Sequence, residues 1–326
     1  MNVERILVNA LEASIGLQAV VFALAAIGLN VHFGYTGLLN FGQSAFLAVA
    51  GYGLAVMVAT FGLPFWVGIL VGLVGAVVLA LLLGVPTLRL RADYLAMATI
   101  AAAEIVRLIA RSVTFADTLG GSDGRQNFAG GFYSLNPYSE GSYNIGSFGF
   151  NERQMWILTV GWTLVGLCCL VVFLLMRSPW GRVLKAIRED EDAVRSLGKN
   201  VYSYKMQSLI LGGVYGTLAG MIFILPRAVV PANYQTSLTF FIYAILLLGG
   251  AATILGPVIG SMIFWVLLSF FSGFVARAVE AGWLPFMSQV QAGQLRFILV
   301  GVAIMLIVIF RPQGIFGNKK ELAFVK

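Results

Sequence analysis

SPWGRVLKAIREDEDAVRSLGKN, residues 178–200, is a charged stretch set between two long apolar runs, 153–176 and 206–225. Seven of the chain's 21 Lys and Arg fall between Arg177 and Lys205, and four acids stand in a row from Glu189 to Asp192. Such a segment cannot rest in hydrocarbon. It therefore marks a water-facing connection between two membrane-length runs, and its basic residues place it on the cytoplasmic side.

The rest of the chain is read outward from that point. Of 326 residues, 59% are hydrophobic and only 11% charged, against about 25% charged in soluble domains. A transmembrane helix needs about 20 mostly apolar residues, and such runs recur at 14–32, 38–61, 64–85, 153–176, 206–225, 256–275 and 295–310. These runs exclude a water-soluble fold, and the lack of period-two alternation argues against an outer-membrane barrel. The expected fold is an all-α polytopic membrane protein. A net charge of +7 would suggest a nucleic-acid partner in a soluble protein; here the basic residues follow membrane sidedness and no nucleic acid is expected. Cys168 and Cys169 are adjacent in an apolar run, without metal-ligand spacing, and read as packing residues. The first apolar run, preceded by Glu4, Arg5 and Glu12 and lacking a small-residue cleavage site, reads as a retained span.

With 177–205 inside, the other runs alternate. Residues 113–152 fall outside, the helix of Glu104 runs outward from Arg89 and Arg91, and 238–252 returns to a short inner turn. The tail 311–326 lies inside with Arg311, Lys319, Lys320 and Lys326. Thirteen of the 21 Lys and Arg are then cytoplasmic. About nine crossings result, with the N-terminus outside. Two segments are too irregular for continuous lipid-facing helix. The stretch 34–44 is rich in Gly and amide side chains, and Gly249-Gly250 is followed by Gly256-Pro257. Broken or re-entrant segments are expected near 34–44 and 249–257, where a substrate path is often found. The outer stretch 113–152, rich in Gly, Ser, Asn and aromatic residues, reads either as a loose loop or as a docking surface for a second protein.

Polar residues within the spans are the candidate site. Asn40, Gln43, Ser44 and Glu104 could line a translocation path, because uncharged hydrogen-bonding groups guide a polar solute without trapping it. The competing reading of the first three is helix–helix hydrogen bonding. Glu104 and Arg107, at i and i+3, favour a structural ion pair. His32, the single histidine, reads as an interfacial residue at a span end. Trp66, Trp156, Trp265 and Trp283 read as interface anchors, and the closely spaced glycines 68, 72, 75 and 212, 213, 216 as sites of tight helix contact. No nucleophile elbow, HExxH, metal-spaced Cys/His cluster or phosphate-binding GxxxxGK[ST] is present, so neither an enzyme nor a metal or cofactor site is expected, and any ATP would be hydrolysed by another chain.

Within 178–200, Val183, Ala186 and Ile187 share one face of a first short helix. The acidic run then caps a second, carrying Ala193, Val194 and Leu197 and stopping at Gly198. An apolar face on this cytoplasmic knob predicts a partner groove. Asp192-Ala193-Val194, three residues, then Gly198 resembles the Glu-Ala-Ala loop of ABC-importer permeases, with Asp for Glu and Val for the second Ala. The wider stretch 181–191 resembles LivM-type permeases of branched-chain amino acid importers. So do GYTGLLNFGQ at 34–43, LRLRADYLA at 88–96, GGSDG at 120–124, GPVIG at 256–260 and RPQGIF at 311–316. The blocks span nearly the whole chain.

The resemblance implies one transmembrane permease domain over 1–326 in a bacterial plasma membrane, surrounded by membrane lipid. A LivH-type second permease subunit would pair with it, two cytoplasmic ATPase subunits would bind ATP and Mg, and an extracytoplasmic substrate-binding protein would supply a branched-chain or other hydrophobic amino acid. Arg182, Ala186, Ile187, Arg188, Glu189, Glu191, Asp192, Ala193 and Gly198 would form the ATPase-coupling loop. The same architecture could import urea or short amides, and an ATP-independent carrier or channel is the alternative of another class.

Overall fold

The computed structural model describes residues 3–90, 92–145, 148–283 and 289–317. Arg91 and the lysines of the tail, expected on the inner side, lie outside the described residues. The element order is α1 (Val3–Ile15), α2 (Leu17–Leu29), α3 (Gln43–Ala55), α4 (Phe65–Thr87), α5 (Ala92–Arg111), α6 (Ala116–Leu119), α7 (Gly130–Tyr133), β1 (Ser142–Ile145), β2 (Phe148–Asn151), α8 (Glu152–Arg177), α9 (Pro179–Glu189), α10 (Glu191–Ser196), α11 (Val201–Ile224), α12 (Thr236–Gly249), α13 (Gly256–Glu280) and α14 (Gln289–Phe310). Six of these segments are long and apolar enough to cross a membrane: Leu17–Tyr35, Gln43–Thr60, Phe65–Thr87, Glu152–Arg177, Val201–Ile224 and Gly256–Glu280. The protein is a mostly helical, multi-pass membrane protein. The departures from an all-α chain among the described residues are the antiparallel β1–β2 hairpin, which packs against α8 and α1, and an isolated bridge between Arg125 and Val229.

Helix α2 is apolar all round, and every residue from Ala19 to Leu29 is buried, as expected of a helix surrounded by others. It packs against α8, α11, α12 and α13. Small residues make this possible. A β-carbon on Gly212 of α11 would overlap the Gly28 carbonyl and the His32 ring, and one on Gly213 would overlap Phe46. Peripheral helices instead carry an outward apolar stripe, for example Trp66, Leu70, Val74, Val78 and Leu82 on α4, whose four-residue spacing presents one face to lipid.

Both expected helix breaks are present. After Leu29 the chain widens into a π-helical turn, Asn30–Tyr35, then runs irregularly through Gly37 (φ 74°) until α3 begins at Gln43. Helix α12 stops at Gly249, Gly250 takes φ 114° and Ala252 φ 59°, and α13 starts at Gly256 with Pro257 at its first turn. The second break lies well inside the helical layer. The Ile254 carbonyl sits 3.9 Å from Cys169 Sγ, and Cys169 precedes the charged end of α8 at Arg177 by two turns, about 12 Å of helix axis.

Backbone exposed at such depth must be satisfied by the protein itself. Asn30 does this for the second break: its Oδ1 accepts from Ala252 N at 2.8 Å and its Nδ2 donates to Thr253 O at 2.7 Å. Thr253 Oγ1 donates to Gly250 O and accepts from Gly256 N. The RPQGIF block explains itself here. Ile315 N and Phe316 N donate to the Leu248 and Gly249 carbonyls at 3.0 Å, covering carbonyls at the end of α12.

Removing the Asn30 amide orphans one buried N–H, at about 1–3 kcal/mol, and one part-buried C=O. Asn30→Leu is therefore expected to lower the melting temperature of the detergent-solubilised protein markedly, as followed by heat-step size exclusion. Gly166→Ala, where an added β-carbon meets nothing within 4 Å, serves as the neutral control; equal behaviour of the two variants would refute the role of Asn30.

Candidate functional site

The first break forms a buried polar core. Asn30, His32, Thr36, Asn40, Gln43, Ser44, Thr99, Ser208, Thr217 and Thr239 are all at most 2% exposed. The freed backbone groups are met by hydroxyls of surrounding helices and of the break itself. Phe41 N donates to Thr99 Oγ1 of α5 and Ser44 N to Thr239 Oγ1 of α12, both at 3.0 Å, and Tyr243 OH donates to Asn40 O at 3.0 Å. The Val31 carbonyl, left open by the π-turn, accepts from Thr36 Oγ1 at 2.8 Å and Ser208 Oγ at 3.1 Å.

His32 is not interfacial. It is fully buried, because its helix continues past it as the π-turn and carries it into the bundle. Its Nε2 contacts the Leu209 carbonyl at 3.1 Å and its Nδ1 the Asn40 side-chain amide at 3.0 Å. A carbonyl can only accept, so the proton belongs on Nε2, and Nδ1 accepts from Asn40.

The three polar residues singled out from the sequence divide on this geometry. Asn40 is spent: its Oδ1 accepts from Gly42 N at 2.8 Å while its Nδ2 holds His32. Gln43 donates through Nε2 to Gly212 O at 3.2 Å, but its Oε1 and the Ser44 hydroxyl have no hydrogen-bond partner. Gln43 and Ser44 thus retain unused capacity inside the bundle. Glu104 stands apart, on α5, in a two-point ion pair with Arg107 that includes a 2.9 Å bond from Nε to Oε2.

The charged segment forms two helices, as its pattern predicts. Ser178 and Pro179 start α9, and Asp190 Oδ1 accepts from Asp192 N and Ala193 N to start α10. Gly198, at φ 77°, follows its end. The apolar face of this knob is not open for a partner. Leu184, Ile187 and Val194 are buried in the chain's own core, with Val183 and Ala186 packed against them, because α9 folds back onto α8, α11 and the π-turn.

The coupling residues therefore separate into two sets. Arg182, Glu189, Asp192, Ala193 and Gly198 are exposed, as is Leu197 at 80%. Ile187 and Arg188 face inward. Glu191 is held by Arg195 and Lys205, and Arg195 also binds Asp192 at 2.9 Å. Arg188 Nη1 donates 2.5 Å to the Gly34 carbonyl, Gly37 lies against the Arg188 stem, and Lys185 sits 5.8 Å from the Tyr35 ring centroid. Knob and first break are thus in direct contact, a link no sequence pattern signalled.

On the opposite, loop-bearing side, an open cavity of about 590 Å³ lies between α7 and the segment after α11, lined by Asn127, Tyr133, Arg153 and Arg227 among others. Burial pushes the Tyr133 hydroxyl up from its ordinary pKa, with Arg153 opposing it, and holds Arg227 below the ordinary guanidinium value. Trp265, expected as an interface anchor, instead lies mid-helix in α13, its ring edge-on to Phe22 at 5.2 Å and near Phe264 at 5.7 Å. Among the described residues no group of His, Cys, Asp and Glu could hold a metal ion.

Comparison with known proteins completes the picture. Residues 13–309 match the family described as branched-chain amino acid transport system, permease component. The chain is 30% identical over 312 residues to the high-affinity branched-chain amino acid transport system permease protein LivM of Escherichia coli K12, covering 92% of this chain and 69% of that protein. Against the probable LivM permease of Methanocaldococcus jannaschii, identity is 26% with 91% of each chain covered. The probable LivH permease of the same archaeon is 27% identical, with 90% of this chain and 88% of that one covered. These relatives are transport permeases, not enzymes. With the family match running over residues 13–309 and the LivM relative 30% identical over 92% of the chain, the chain belongs to the branched-chain amino acid transport permease family, as a permease subunit of an ABC importer.

Proposed function

We propose that the chain forms half of a translocation pathway for a branched-chain or other hydrophobic amino acid. In this reading α2, α3, α4, α5, α8, α11, α12, α13 and α14 make nine crossings, with α9–α10 and the tail in the cytoplasm and the N-terminus and the outer segment on the other side. A LivH-type subunit completes the pathway, an extracytoplasmic binding protein docks on the outer segment, and two ATPases carrying ATP and Mg engage the exposed side of α9–α10. The observation that carries the reading is the Arg188–Gly34 hydrogen bond. It ties the knob to the irregular backbone beside Asn40, Gln43 and Ser44, so that a push on α9 reaches the polar core through one short contact. Pathway opening then exposes Gln43 and Ser44, whose unpaired oxygens are available to a solute ammonium.

The first test is purification from native membranes with identification of the co-purifying chains. Two ATPases and a second permease are expected; the chain alone, moving solute without ATP, would replace the importer reading by a carrier. Ala193→Asp, on the exposed surface of α10, is expected to release the ATPases while leaving thermal stability within about 0.5 kcal/mol of the parent; unchanged ATPase recovery refutes the docking assignment. Arg188→Ala is expected to keep the assembled complex and its ATP hydrolysis but reduce uptake about tenfold or more, a loss of coupling. Proportional loss of both rates would instead mark it as a folding residue. Gln43→Leu should depress uptake in an intact complex, and normal uptake would return Gln43 to helix packing.

A further inference from the structure

A second cavity, about 280 Å³, lies where α2, α12, α13, α14 and the segment after α11 meet. We propose that it binds the carboxylate of a small apolar solute, with Arg296 as the anchoring cation. The inference rests on the importer reading above and adds a specific subsite to it.

The walls divide into an apolar and a cationic part. Phe22, Phe241, Phe264 and Trp265 supply aromatic surface, while Arg227 and Arg296 supply two guanidinium groups, and no Asp or Glu is among the lining residues. Arg296 is embedded in α14, seven residues into an apolar helix. Such a cation in a span usually pairs with an acid or faces a cavity with a functional role. Among the described residues it has no acidic partner: Nη1 donates to Ser272 Oγ at 3.2 Å, the guanidinium sits 4.8 Å from the Phe297 ring centroid, and Nε is buried without a hydrogen bond. The Trp265 indole N–H, on the same wall, is buried without a partner as well.

Two unmet donors and an unneutralised guanidinium fit an oxyanion, since Arg presents a planar fork to two carboxylate oxygens. The aromatic walls fit an aliphatic body, and the volume suits one residue-sized solute. Arg227 also lines the larger open cavity beside α7, so the site adjoins the side from which a delivered solute would arrive. A lipid phosphate shares the oxyanion chemistry; the test separates the two sources.

The full chain is placed in phosphatidylcholine nanodiscs and titrated with leucine, 4-methylpentanoate and leucinamide while tryptophan fluorescence is read. Saturable responses are expected for leucine and 4-methylpentanoate and not for leucinamide, with the signal removed by Trp265→Phe. Arg296→Gln should weaken binding about tenfold or more, and Arg296→Lys should restore part of it. Equal responses to acid and amide, an Arg296→Gln variant that binds like the parent, or a response to added phosphatidylglycerol that leucine cannot displace would each overturn the proposal. ATP-driven uptake by the assembled complex separates the two levels. Leucine uptake unaltered by Arg296→Gln sinks the carboxylate site alone, whereas a parent complex with no ATP-dependent uptake sinks the importer reading.

Discussion

A peptide group that leaves the helical ladder inside a bilayer has no water to turn to, and the two places where this chain breaks its helices organise much of what surrounds them. Asn30 answers for one break with both ends of its amide, bonding Ala252 and Thr253 across more than two hundred residues of sequence. Hydroxyls from α5, α11 and α12, with that of Thr36 in the break itself, answer for the other. Because every such bond fixes a helix to a loop, the polar core also serves as the joint between helices. That arrangement suits a protein whose working parts must shift without exposing bare backbone.

The same requirement explains the glycines. Helices α2 and α11 meet so closely that side chains on Gly28 or Gly212 would collide with the opposing backbone. Without a hydrophobic driving force between helices in lipid, close packing and interhelical hydrogen bonds hold such a bundle together. The closeness brings His32 to the Leu209 carbonyl and Gln43 to the Gly212 carbonyl. Packing and polar satisfaction are therefore one construction.

The knob is built rigidly. Its apolar residues are spent on the chain's own core, which fixes α9 and α10 in place, while the acids and bases of α10 bind one another. What stays exposed includes Ala193 and Leu197 of α10 and its end. Arg188 then connects that fixed element to the π-turn at Gly34.

Much of this was legible beforehand. The apolar runs, the charged stretch between them, the two helix breaks, the capping pattern at Asp190 and the Glu104–Arg107 pair all follow from local composition and spacing, because hydrocarbon length and helical periodicity act on contiguous residues. The outcomes that differed all concern what a residue touches. His32 and Trp265 read as ends of spans, yet a π-turn buries the first and the length of α13 places the second mid-helix against Phe22 and Phe264. The apolar face of α9 read as a docking face, yet its own bundle covers it. Local sequence determined where the apolar helices and their breaks lie. Only the tertiary structure decided which polar groups meet inside, because hydrogen bonds such as Asn30 to Ala252 or Arg188 to Gly34 depend on distances in space that no sequence spacing encodes.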